Sequence, residues 1–298
     1  MIRGKYTVQQ VEERTNVPAG TLRQWERRYG FPHPERTDAG YRLYSEEDIR
    51  GIESMRRHIE DGIPASRAAE LVKELPDGVA DDGTPATKLA DALVDALVEL
   101  DEDRCDRVLG EAHALYPVET VLIDVMQAAM VEIGRRWHDG ELPTTTEHFA
   151  SSYVHGRLRN LLSLSGQHRR SPGVVVACAP HDQHELGALM LAVILRRNGY
   201  RVTYLGANVP VVDLAALARQ QRPLAVMISA ATPESVDELK AQRAHLNGIA
   251  PILAFGGPAF NADAAAAEDL GGRYLAANVV DAVERFDDLA RTRERELA

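Results

Sequence analysis

Apolar positions recur along the chain in three different patterns. From Tyr6 to about Leu75 they are sparse and lie within short polar segments. Thr7 is placed to cap a helix through Val8 and Val11. Val17-Pro18-Ala19-Gly20-Thr21 reads as a tight turn, and a second helix follows from Thr21 to about Tyr29, stopped by Gly30-Phe31-Pro32. Residues 36–44 (RTDAGYRLY) read as a β-hairpin around Ala39-Gly40, and Ser45 with Asp48 makes a capping-box-like start for the next helix. From about Ala86 to Leu164 no segment alternates like a strand. Leu89, Leu93, Leu97 and Leu100 recur at helical spacing, and Val121, Val125 and Met130 continue it. Breaks near Leu100-Asp101, Tyr116-Pro117 and Gly140–Pro143 divide this stretch into roughly four helices. After Ser171-Pro172-Gly173 the runs VVVACA, VTYLGA, LAVMISA and PILAFGG alternate with amphipathic segments of 10–15 residues. That alternation predicts a doubly wound parallel sheet of about five strands, with ligands at the C-terminal strand ends.

The predicted fold class is therefore α+β, then all-α, then α/β. Residues 1–75 form a winged helix-turn-helix head, 76–85 a Pro/Gly/Asp-rich linker, 86–168 a four-helix bundle, and 171–298 a Rossmann-like domain. A length of 298 residues suits two or three domains, and 45% hydrophobic with 27% charged residues excludes a wholly disordered or fibrous chain. Two cysteines cannot build a disulfide framework, which points to a reducing cytoplasm. The longest stretch free of Asp, Glu, Lys and Arg, Ala244 to Ala262, holds His245, Pro251, Pro258 and three glycines, so it is no membrane span. The polar start MIRGKYTVQQ lacks the apolar core of a signal peptide. A cytoplasmic protein with no membrane partner is expected.

The net charge of −11 is unevenly spread: residues 1–44 carry eight bases against five acids, leaving −14 on the remainder. A basic head on an acidic body suggests an anionic partner at the N-terminus alone, although a solvated helical surface would give the same charge. In the predicted second helix Thr21, Arg23, Gln24, Arg27 and Arg28 lie on exposed turns, with donors suited to base edges or phosphates. The hairpin puts Tyr41 and Arg42 where a wing could grip the backbone, while Trp25 belongs to the core. The segment TLRQWERRYGFPHPERTDAGYRLYSEEDI closely resembles the DNA-binding head of the MerR family of transcription regulators, with Gln24 where that family usually has an aromatic. Double-stranded operator DNA is the partner this resemblance implies.

Asp182-Gln183-His184-Glu185-Leu186-Gly187 falls in the loop after the first strand of the α/β region. A histidine there can ligate a metal through one nitrogen while a carboxylate two residues earlier holds the other, and Gly187 leaves room for a bulky ligand. A solvated loop histidine is the plainer reading. Ser229 ends the third strand and Gly256-Gly257 the fourth, and the whole series resembles the cobalamin-binding module shared by methionine synthase and the B12 mutases. In that family the histidine replaces dimethylbenzimidazole beneath cobalt, and the displaced nucleotide tail lies near the serine and the paired glycines. The departures are Ala231, where a larger residue is usual, and a slightly short gap from Ser229 to Gly256.

Trp137-His138 and Glu147-His148 spell W-x9-E-H at the edge of the bundle, where they could equally be core and surface. Placed just before a cobalamin module, they resemble the light-dependent B12 repressors of the CarH/LitR type. In those proteins the tryptophan, glutamate and histidine surround the 5′-deoxyadenosyl group above cobalt. Trp137 would offer a π face, Glu147 and His148 hydrogen-bond partners, and His138 matches the histidine that takes the upper cobalt position once the adenosyl group leaves.

The resemblance implies a non-enzymatic, light-sensing regulator, most simply a repressor. It would bind adenosylcobalamin or methylcobalamin, bind DNA as a dark oligomer (a tetramer by resemblance), and release DNA in light. A light-independent cobalamin-responsive regulator, or less plausibly a corrinoid carrier for methyl transfer, are the alternatives. His181 beside His184 has no zinc-site spacing, Cys178 lies in an apolar run, and no phosphate-loop glycine spacing occurs.

Overall fold

The computed structural model describes residues 6–15, 17–36, 42–60, 65, 69, 72, 84–166 and 171–297, and it divides the chain into two compact units, 1–83 and 84–298. The expected hairpin turn at Ala39-Gly40, Tyr41, and residues 76–83 of the expected linker lie outside the described residues.

In the first unit, α1 (Val8–Thr15) and α2 (Ala19–Tyr29) precede a two-stranded antiparallel ribbon, β1 (Glu35–Arg36) and β2 (Arg42–Leu43), and α3 (Glu46–Glu60). The caps are reciprocal. Thr7 N–H donates to Gln10 Oε1 at 2.9 Å while Gln10 N–H reaches back to Thr7 Oγ1, and Ser45 and Asp48 exchange equivalent bonds at 2.9 and 3.0 Å. Gly30 ends α2 in the left-handed conformation, φ 61°, which glycine adopts without a Cβ penalty. Leu22 and Trp25 turn inward to pack with Val11, Val17, Phe31, Tyr44, Ile49, Ile52 and Met55. That core leaves Arg23, Gln24, Arg27 and Arg28 on the solvent side of α2, with Thr21 half-buried.

The second unit begins with α4 (Pro85–Val98), capped by the Thr84 hydroxyl, and α5 (Glu102–Leu115), capped by the Asp101 carboxylate. A third helical run follows as α6 (Val118–Thr120), a π-helical segment Val121–Gln127, and α7 (Ala128–His138); α8 (Thr144–Leu164) completes four helical runs. Leu89, Leu93 and Leu97 are buried as their spacing requires. Leu100 is not: it sits in the turn between α4 and α5 at φ 58°, half exposed. The apolar stripe ends one turn earlier than the spacing suggests, because Asp101 must stand clear of the helix to cap the next one.

The α/β region is a five-stranded, all-parallel sheet in the order β4-β3-β5-β6-β7, comprising β3 (Gly173–Cys178), β4 (Arg201–Tyr204), β5 (Ala225–Ser229), β6 (Ile252–Gly256) and β7 (Arg273–Tyr274). Helices α9 (Leu186–Arg197), α10 (Val211–Gln221), α11 (Pro233–Ala241), α12 (Arg243–Leu246), α13 (Pro258–Ala262), α14 (Ala265–Asp269) and α15 (Val279–Leu297) connect and flank the strands. Alternate residues of β3 serve opposite faces. Val174, Val176 and Cys178 join the core shared with the bundle and α9, whereas Val175 and Ala177 pack beneath α10 and α11. β3 connects outward to β4 and the chain then returns to β5, so the strand order reverses between β3 and β5. The crevice at that reversal is where doubly wound folds hold ligands.

Candidate functional site

A cleft of about 1080 Å³ opens at this reversal, between the C-terminal strand ends and the bundle. It exceeds the roughly 300–1,000 Å³ of sites for drug-sized ligands and therefore has room for a larger one. Trp137, His138, Glu147 and His148 line the bundle side, and His184, Gly187, Ser229, Gly256 and Gly257 line the sheet side. The fold thus gathers into one cavity residues that stand up to 120 positions apart in sequence.

Asp182 lies behind this surface, its side chain wholly buried. Its Oδ2 accepts from Ala231 N–H at 2.5 Å, and its Oδ1 accepts from His184 N–H and contacts His184 Nδ1, both at 2.9 Å. A carboxylate can only accept, so Nδ1 carries the ring proton and Nε2 presents its lone pair. The His184 side chain is itself 70% exposed, an unusual degree of order for a ring so open. The loop is pinned further by Asn208, whose Oδ1 accepts from His181 N–H at 2.7 Å while its own N–H donates to Asp182 O at 2.9 Å. A Cβ built on Gly187 or Gly256 meets nothing within 4 Å, so both leave open space toward a ligand. Gly257 is different: at φ 96° its Cβ would stand 2.5 Å from Ala230 O and 2.8 Å from Ser229 Oγ. Only glycine lets β6 turn this close beside β5.

Across the cleft, Trp137 and His138 end α7, and the Trp137 indole N–H donates to Thr144 Oγ1 at 3.3 Å. Glu147 accepts from Ser151 Oγ at 2.6 Å and lies 3.7 Å from the His148 ring. Between the walls a second polar group appears that no sequence motif announces. His155 Nε2 lies 3.1 Å from Glu185 Oε1, and the Tyr204 hydroxyl donates to Glu185 Oε2 at 2.6 Å. Burial, reinforced by the Glu185 carboxylate, raises the tyrosine above its ordinary range and keeps it a donor. Burial also pushes the Cys178 thiol up to about 12, which suits inert packing rather than reactivity. Among the described residues no group of three His, Cys, Asp or Glu side chains could hold a bare metal ion. His184 offers one nitrogen, backed by a carboxylate, beside a broad space; that donor set fits the lower face of a cobalt corrinoid.

In the first unit the Arg42 guanidinium meets Glu26 of α2 at 2.8 Å, and Arg36 meets it at 3.4 Å. The ribbon is thereby tied to the helix that exposes Arg23, Gln24, Arg27 and Arg28.

Fold and site together define a regulator with a DNA-binding head and a cobalamin-binding body. Residues 6–75 match the MerR HTH regulatory protein family, and residues 89–162 and 172–284 match two B12 binding domain families. The HTH-type transcriptional repressor CarH of Myxococcus xanthus is 32% identical over 98% of this chain and all of its own length. The repressor CarA of the same organism is 33% identical over 74% of this chain and 75% of its own. The chain belongs to the CarH family of HTH-type transcriptional repressors. The Methanosarcina barkeri monomethylamine corrinoid protein shares the bundle-and-sheet fold, with a TM-score of 0.58 and 19% identity over 69% of this chain and 97% of its own. No described helix is long and apolar enough to cross a membrane.

Proposed function

We propose that this protein is a light-sensing transcriptional repressor of the cytoplasm that binds adenosylcobalamin, assembles into a tetramer and occupies operator DNA in the dark. The observation that carries this reading is the pairing, in one cleft, of a carboxylate-backed His184 with Trp137, His138, Glu147 and His148 opposite it.

Adenosylcobalamin supplies a cobalt–carbon bond that visible light cleaves. His184 would hold cobalt through Nε2, with Asp182 fixing the tautomer. Ser229, Gly256 and Gly257 border the space for the nucleotide tail. Trp137 would pack against the adenosyl group, while Glu147 and His148 would hydrogen-bond its ribose and adenine. With the adenosyl group gone, His138 would be the residue placed to hold cobalt from the bundle side, which would draw the end of α7 and loosen the assembly. Arg23, Gln24, Arg27, Arg28 and Thr21 face the DNA, with Tyr41 and Arg42 in the wing. Residues 1–44 carry only net +3 against −14 on the remainder, so a single head binds DNA weakly, and several heads held together gain effective concentration. Assembly therefore controls occupancy.

The test is to load the protein with adenosylcobalamin in darkness and record absorption and gel-filtration volume before and after green light. A lasting change of spectrum, a fall to a smaller species and loss of operator binding are expected. Illumination that changes the spectrum but leaves assembly and DNA binding intact would show a light-independent regulator. Failure to bind cobalamin would overturn the assignments of His184 and His138 together.

A further inference from the structure

The contact between His155, Glu185 and Tyr204 joins three elements that sequence keeps apart. His155 lies on α8 of the bundle, Tyr204 ends β4, and Glu185 directly follows His184 at the N-cap of α9. Glu185 makes no side-chain capping bond to its own helix. Its two oxygens go instead to His155 at 3.1 Å and Tyr204 at 2.6 Å. Arg159, one turn beyond His155 on the same helix, lies over the Tyr204 ring at 5.8 Å. The Glu185 carbonyl meanwhile accepts from Leu189 N–H at 2.9 Å, so this one residue belongs at once to the ligand loop, the first turn of α9 and the bundle contact.

The register along α8 extends the connection. Glu147, Ser151 and His155 succeed one another at intervals of four, on one face, and Ser151 donates to Glu147. A single helix therefore carries residues of the bundle wall at one end and the partner of the ligand loop two turns further on. A rigid helix transmits a displacement from one end to the other, whereas a loop would absorb it.

We propose that His155 and Glu185, with Tyr204 as a second anchor, are positioning residues that tie the His184 loop to the bundle, so that placement of the lower cobalt ligand depends on where the bundle sits. The inference rests on the reading of His184 as that ligand. Without the bridge the imidazole still has Asp182 to set its tautomer, but the loop's outer side loses its hold on α8.

The experiment uses the full chain loaded with adenosylcobalamin in the dark. The readout is the visible band that separates corrinoid with a lower nitrogen ligand from corrinoid without one, at fixed pH. His184→Ala serves as the reference and should lose the ligated band. His155→Leu should lower the ratio of ligated to unligated cofactor roughly 10-fold. His155→Gln, which keeps an N–H at similar reach, should restore much of that ratio, a recovery that general loss of packing would not give. Tyr204→Phe removes one oxygen and keeps the ring, so it tests the second anchor in a protein that still folds, with a smaller shift in the same direction. Wild-type ratios in both His155→Leu and Tyr204→Phe, while His184→Ala loses the band, would overturn the bridge and leave the His184 reading intact. An unchanged band in His184→Ala would overturn both.

Discussion

The two walls of the cleft are held in different ways. On the sheet wall, Asp182 is fully buried and both its oxygens are bonded, to His184 and to the backbone of Ala231. Asn208 braces the same loop from a third strand end. On the bundle wall, Trp137 is 44% exposed with a single side-chain bond to Thr144, and His148 is more open still. Backbone amides at strand ends are fixed by the sheet ladder, so the sheet wall arrives organised and loses little entropy on binding. Side chains projecting from a helix surface keep rotamer freedom until something packs against them. A ligand entering the cleft would therefore meet one wall that is already organised and one whose side chains order around it.

The largest expected effect strikes the sheet wall at its tightest point. Gly257→Ala introduces a Cβ at φ 96° that collides with backbone at 2.5 Å, combining a disfavoured conformation with overpacking. Chemical denaturation should show a loss of about 2–4 kcal/mol. An unchanged midpoint would mean that the junction of β5 and β6 yields, and the contrast between the walls would fail at its stiffest residue.

Asp182→Ala comes next. It removes the acceptor that orders the loop and fixes the His184 tautomer, and affinity for hydroxocobalamin should fall about 10–100-fold by spectrophotometric titration. Because Ala231 N–H and His184 N–H both lose their partner, part of this loss comes from disorder rather than from the imidazole itself. Asp182→Asn separates the two contributions. Its amide oxygen still accepts one backbone bond, but it cannot hold two donors with a full charge, so an intermediate affinity is expected. Equal affinities for wild type and Asp182→Ala would show the sheet wall to be no better organised than the bundle wall.

This contrast also explains what was legible before the structure. Local pattern dictated the strands, since continuous runs such as VVVACA have no other economical burial, and Asp182 and His184 are two residues apart in a loop whose place follows from the strand before it. The core role of Trp25, which sits between polar neighbours at helical spacing, was legible in the same way. Leu100 misled because helical spacing alone does not show where the capping requirement of the next helix, here Asp101, takes over. The bridge of His155, Glu185 and Tyr204 left no trace, because its members are 30 and 19 positions apart and meet only through the packing of α8 against α9. The pairing of Arg42 with Glu26 was hidden for a related reason: sixteen residues and a hairpin separate the two.

Trp137→Ala carries the smallest effect and sharpens the comparison most. The ring is largely outside the core, so unfolding should scarcely change. An aromatic stacking on the upper ligand contributes about 0.5–1.5 kcal/mol, which predicts roughly 2–10-fold weaker binding of adenosylcobalamin. Hydroxocobalamin, which shares the corrin ring and nucleotide tail but lacks the adenosyl group, should bind as in wild type. Equal losses for both corrinoids would instead place Trp137 against the ring common to them, making the bundle wall a second constant surface. Selective loss would leave the division standing, with the sheet wall against what the two corrinoids share and the bundle wall against the adenosyl group.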